Sequence, residues 1–177
     1  MHHTQQHAGF STIGFLWVLT VITIAVSITT IVISYTQDRA RGAQMGTSLN
    51  QVEKAFKLSF QEWPTEQSLE LGTNPRIQNI ALSGVFNDTL SGIPTSFLNN
   101  FYYDNDSDLN TSHSYCTTPD AGAGVNIIIE FDNIYTSTVA KEIDYLIDGS
   151  DGFNCGKIRS FGPYMLYLLQ SDPSNFL

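Results

Sequence analysis

The chain has 177 residues, 17 acids against 8 Lys and Arg, and a net charge of −9. That length allows one membrane span and one modest head domain. The acidity excludes the Lys- and Arg-rich surface that direct nucleic-acid binding needs to replace phosphate counterions.

A polar leader, MHHTQQHAG, opens the chain and carries three of its four histidines, His2, His3 and His7. From Gly9 to Ser34 follows an apolar run of about 25 residues, and about 20 suffice to cross a bilayer as a helix. No Asp, Glu, Lys or Arg precedes Asp38. A lone span must be helical, because lipid offers backbone N–H and C=O groups no partner. From Thr20 on, six hydroxyls interrupt the run: Thr20, Thr23, Ser27, Thr29, Thr30 and Ser34. Each can bond back to a carbonyl one turn earlier, and small hydroxyl residues also permit close helix–helix packing.

The junction Gly9-Phe10, with Ser11-Thr12-Ile13 opening an apolar helix, resembles the prepilin cleavage signal of type IV pilins and type II secretion pseudopilins. The resemblance implies that a dedicated peptidase cuts after Gly9 and methylates the amine of Phe10. It implies an α+β fold, with a long N-terminal helix packed on a small antiparallel sheet head. The expected segments are a leader at 1–9, a transmembrane half at 10–36, an amphipathic half at 37–62 and a head at 63–177. Partners implied are the prepilin peptidase, other pilin or pseudopilin subunits, and membrane lipid before assembly. No nucleic acid is expected. The site is the inner membrane, single-pass with an extracytoplasmic head, and then the filament. Where the family usually has Glu at the fifth mature position, this chain has Gly14. That Glu is understood to pair with the N-terminal amine of the subunit already in the filament. Its loss implies a minor subunit that primes or caps. The positive-inside rule alone would put the head in the cytoplasm, since Arg39 and Arg41 follow the span. The leader histidines and Asp38 temper that signal.

Beyond the span, Met45, Leu49, Val52, Phe56 and Phe60 recur every three or four residues and predict one apolar helix stripe. Glu53, Lys54 and Lys57 fall off it. Glu53 and Lys57 form a favourable i,i+4 pair. Trp63-Pro64 ends the helix, because the residue before Pro avoids the α region. Phe10 to Glu62 would be one rod of about 80 Å. From Pro64 to Ser114 the chain is rich in Gly, Asn, Asp, Pro and Ser and reads as loop, with a short helix at Arg76 to Leu82.

Asp104, Asp106 and Asp108 alternate like the opening of a calcium loop, but Leu109 and Tyr115 stand where Gly and Glu belong. This is no EF-hand, and a looser calcium site is the only cofactor to weigh. Three Asn-x-Ser/Thr triplets, at Asn87, Asn105 and Asn110, carry little weight alone. Gly124 to Phe131 is β-branched and predicts a strand. Thr136 to Ile147 predicts a helix, with Val139, Ile143 and Ile147 on one face.

The stretch IDYLIDGSDGFNCGKIR resembles a C-terminal element of minor pilins and pseudopilins. Its matching residues are Ile143-Asp144, Asp148-Gly149, Gly156 and Arg159; Ile147 replaces the first of two acids usual before the Gly. Physically, Gly149 and Gly152 permit tight turns, and the acids can cap turns or bond Lys157 or Arg159.

Cys116 and Cys155 are the only cysteines. In an exported compartment they can close a loop of about 40 residues, worth roughly 4 kcal/mol by chain entropy. The rival use is metal ligation with His113, although two cysteines fall short of a structural zinc site. A search for enzyme motifs finds no Gly-x-Ser-x-Gly elbow, phosphate loop or His-Glu-x-x-His. His113 would be the only histidine of the mature chain, so no enzyme is expected. The alternative to a filament subunit is a single-pass anchored extracytoplasmic binding or sensor domain.

Overall fold

A computed structural model describes residues 12–65, 69, 74–84, 86, 89–105, 124–134, 136–149, 152–153 and 155–171. The chain divides into two units, one ending at Gln37 and the other beginning at Asp38. Helix α1, Thr12–Ser59, supplies the described part of the first unit and the opening of the second. It ends earlier than the Trp63-Pro64 signal predicts. Phe60 N–H still donates to Phe56 C=O at 3.0 Å, but Gln61 and Glu62 already bend away. Proline restricts only the residue before it, so it sets the latest possible end rather than the actual one.

In the second unit, α2 (Ile77–Leu82) and α3 (Thr95–Leu98) precede strands β1 (Phe101–Asp104) and β2 (Gly124–Glu130). Then come α4 (Thr138–Asp148), β3 (Ile158–Phe161) and β4 (Tyr164–Ser171). The four strands form one antiparallel sheet in the order β1-β2-β4-β3. The expected α+β class, a long N-terminal helix with a small antiparallel sheet, is what the chain adopts. The predicted strand at 124–131 is β2. It lies between β1 and β4, and its residues from Gly124 to Ile129 are all buried.

Alternation along the strands sorts residues to two faces. Phe101, Tyr103, Ile127, Ile129, Ile158, Met165 and Tyr167 join the buried core with Met45, Leu49, Val52 and Phe56 of α1. Phe56 stacks on Tyr103 at 4.7 Å between centroids and meets Phe86 edge-on at 4.9 Å. Such pairs contribute about 0.5–1.5 kcal/mol beyond area burial. Helix α4 adds Ala140 and Ile143 to the same core. The Ser137 hydroxyl caps it by accepting from Ala140 N–H at 3.2 Å. Gly149, at φ 78°, closes its C-terminus in the left-handed conformation that favours glycine. Gly162 and Pro163 make a two-residue turn between β3 and β4.

Candidate functional site

Two stretches carry the chemistry singled out in the sequence: the first half of α1 and the turn-rich segment from Ile143 to Arg159.

Within the first unit no described residue is buried, and every large apolar side chain from Ile13 to Tyr35 is exposed. The best 18-residue window of α1 has a mean hydropathy of 2.5, and the helix is long and apolar enough to cross a membrane. All six hydroxyls from Thr20 to Ser34 bond back to the carbonyl four residues earlier, at 2.8–2.9 Å. Thr36 does the same to Val32. This removes their need for an outside partner, as lipid requires. At Gly14 an added Cβ would meet nothing within 4 Å.

In the second unit α1 buries Gly42, Met45, Gly46, Ser48, Leu49, Val52, Glu53, Ala55 and Phe56. Glu53 corrects the reading that placed it off the stripe. It is 7% exposed, and its carboxylate accepts from Lys57 at 2.7 Å, from Lys157 at 3.1 Å and from the Tyr167 hydroxyl. The expected Glu53–Lys57 pair is therefore present, but its main consequence is to tie α1 to β4 and to the residue before β3. Burial acts to raise the Glu53 pKa, yet the hydrogen bonds from Lys57, Tyr167 and Lys157 together hold it below the ordinary carboxylate value. Burial first, and then the Glu53 carboxylate, push the Tyr167 phenol up. Nothing local in the sequence distinguished Glu53 from Lys54. Its only signal was that it directly follows Val52 and precedes Phe56 by three, on the flank of the stripe.

After α1 the chain is tied back to the sheet. Tyr103 Oη donates to Pro64 C=O at 2.7 Å, Asn105 Nδ2 to the same oxygen at 2.9 Å, and Trp63 Nε1 to Gln170.

The C-terminal element is brought together as one turn system. Ile143 is fully buried in the core. Asp144 accepts from Gly152 N–H at 3.3 Å, and Asp148 accepts from Ile158 N–H. Gly156 lies at φ 85°, and a Cβ there would stand 2.5 Å from the Asp148 carboxyl carbon. Asp148 and Gly156 thus need each other: the carboxylate fills the space a side chain would take. Arg159 is fully buried and donates from Nε to Gly156 C=O at 3.0 Å. The acids cap turns, as one of the two expected uses had it, whereas Lys157 turns to Glu53.

Cys155 is in a disulfide. Cys116, the other cysteine of the chain, lies outside the described residues, as do Gly9, Phe10, His113, Asp106, Asp108, Asn87 and Asn110. Asp104 of the proposed calcium opening is buried and accepts from Asn126 Nδ2 at 3.2 Å. Among the described residues no three His, Cys, Asp or Glu side chains are grouped to hold a metal ion.

No family model matches the chain, and neither a curated protein nor a solved structure matches it.

Proposed function

We propose that the chain is a minor pilin or pseudopilin, a structural subunit that primes or caps a type IV pilus or type II secretion pseudopilus. The observation that carries this reading is helix α1. Its first half is apolar on all sides and bears no buried residue, while its second half buries one stripe under an antiparallel sheet. A helix apolar all round needs a lipid or a protein environment on every side. Bilayer and filament core would supply these in turn. The self-bonded hydroxyls suit both environments, because neither asks them for another partner.

In this reading the peptidase removes residues 1–9 and the Phe10 amine is methylated. Gly14 then defines the position in the filament. A carboxylate in low dielectric is worth much more to a nearby amine than in water, and a lone one is costly. A subunit with Gly14 offers no carboxylate to a predecessor, and the first subunit of a filament has none to meet. Its own Phe10 amine can still receive the carboxylate of the next subunit.

Intact-mass analysis of the protein recovered from membranes tests the processing step. A mass beginning at Phe10 plus one methyl group is expected. Retention of residues 1–9 would overturn the reading in favour of a single-pass anchored domain. Quantification in sheared filaments tests the position, with far less of this chain than of the main subunit expected. A near-equal amount spread along the shaft would exclude priming or capping.

A further inference from the structure

One cavity of the second unit, of about 370 Å3, is lined by charges of both signs that do not meet. Arg41 of α1 lines it, as do Glu130 and Asp132 at the end of β2. Ser96 and Asn100, in and just after α3, and Ser137 at the start of α4 complete its polar wall. The size suits a small ligand group, since binding cavities run from about 300 to 1,000 Å3.

The side chains of Arg41, Glu130 and Asp132 are exposed and, among the described residues, make no hydrogen bond or ion pair. Arg39, by contrast, pairs with Glu142 at 2.8 Å. A single charge on a surface is merely solvated. A cation and two anions around one cavity, too far apart to pair, are complemented by a molecule that carries both charges at separate ends.

Chain connectivity says which molecule. No charged residue precedes Asp38, and Arg41 follows Gln37 by one turn of the same helix. Four helical residues rise about 6 Å. The headgroup layer on each side of a hydrocarbon core is about 5–8 Å thick. A span that ends near Gln37 therefore keeps Arg41 at the level of lipid phosphates.

We infer that this cavity binds the headgroup of a phosphatidylethanolamine from the surrounding bilayer. The phosphate accepts from the Arg41 guanidinium, whose fork matches phosphate oxygens. The primary ammonium donates to Asp132 and Glu130, and the acyl chains stay in the bilayer. Phosphatidylcholine has both charges but no N–H to donate, and phosphatidylglycerol has no ammonium, so neither satisfies both ends. The inference rests on the first half of α1 spanning a bilayer. It holds for a filament subunit before assembly and for an anchored domain alike.

The test uses the full chain, isotope-labelled, in an uncharged maltoside detergent, with NMR of the Asn100 and Ser137 backbone amides as the readout. Dihexanoyl-phosphatidylethanolamine, -phosphatidylcholine and -phosphatidylglycerol are titrated in, with glycerophosphoethanolamine as the soluble headgroup. Phosphatidylethanolamine should give saturable shifts. The other two lipids should bind about tenfold more weakly, as loss of a charge-assisted bond predicts. The soluble headgroup should need at least about tenfold more, because the micelle concentrates the lipid beside the cavity. Arg41→Gln should weaken phosphatidylethanolamine about tenfold. The double change Glu130→Gln, Asp132→Asn should bring it to the level of phosphatidylcholine. Carbonate washing of membranes tests the span separately. A chain released without detergent would overturn the span and this inference together. A membrane-held chain would overturn this inference alone if its cavity signals did not shift, shifted equally with all three lipids or with the soluble headgroup, or ignored either variant.

Discussion

The two halves of α1 solve the same problem in different ways. From Thr12 to Gln37 the apolar residues surround the axis, and nothing in the described structure covers them. From Asp38 to Ser59 the large apolar residues, except the exposed Leu58, keep to one stripe, which joins Ile127, Ile129 and Tyr167 of the sheet in the core. The backbone and the use of hydroxyls are alike, with Thr47 and Ser48 bonding back as Thr20 to Thr36 do. Only the distribution of side chains differs, and it decides whether a helix is completed by its own chain or from outside. A stripe is satisfied by one neighbour, whereas an all-round apolar surface needs an environment.

The largest expected effect separates the halves outright. A fragment starting near Arg39 should be soluble and folded without detergent, since Asp38–Leu177 forms a compact unit. Gel filtration and near-ultraviolet circular dichroism check this; a fragment that aggregates or lacks aromatic dichroism would show that the head needs the first half.

The next effect concerns side chains of one helix in its two settings. Phe56→Ala should destabilise the head by about 3–5 kcal/mol, because the ring is fully buried between Tyr103 and Phe86. Ile22→Ala should leave urea unfolding of the head unchanged. Equal effects would abolish the distinction between the halves.

Glu53→Gln should cost about 2 kcal/mol by weakening the bonds from Lys57, Lys157 and Tyr167. Because the folded Glu53 pKa is lowered, its contribution is present above the unfolded value of about 4.3 and is lost as pH falls through the folded value. The native head should therefore lose stability below about pH 4, and the Gln variant should lose less. Tyr167 has the opposite sign. Its raised pKa gives a contribution that is present below about pH 10 and is lost as pH rises toward the folded value. Unfolding curves against pH for native and variant heads measure both limbs.

The smallest effects compare three glycines. A Cβ at Gly42 would stand 2.7 Å from Glu142 Cβ and 2.8 Å from Val139 C=O, so Gly42→Ala should destabilise by about 1–3 kcal/mol. At Gly46 the nearest atom would be Leu146 Cδ1 at 3.9 Å, and Ala there should stabilise by about 0.5–1 kcal/mol through helix propensity. Gly14→Ala should not alter head unfolding, since nothing lies within 4 Å. Denaturant midpoints check the set, with Gly42→Ala expected lowest, Gly14→Ala unchanged and Gly46→Ala highest.

Much of the architecture was readable along the chain because it follows from local rules. An uncharged apolar run longer than a bilayer is thick specifies a helix, whatever surrounds it. The stripe from Met45 to Phe56 repeats at the helical period, so its burial followed from spacing alone. Strand β2 showed through its β-branched run, and α4 through the spacing of Val139, Ile143 and Ile147. The end of α1 was misjudged by about a turn, because Pro64 forbids helix at one residue and does not compel it at the residues before.

What the tertiary structure decided lies between residues far apart in sequence. Glu53 is buried because Lys157 and Tyr167, more than a hundred residues later, arrive to satisfy its charge. Gly42 matters because α4 passes against it, and Gly156 because Asp148 fills its space. The cavity at the end of β2 exists only because α1, α3 and α4 converge there and bring Arg41 to the same space as Glu130 and Asp132. Periodicity tells which side of a strand a residue takes, but not which strand lies next to it. Neighbours across a sheet are chosen by the packing of the whole head, and there the chemistry of a buried or unpaired charge is settled.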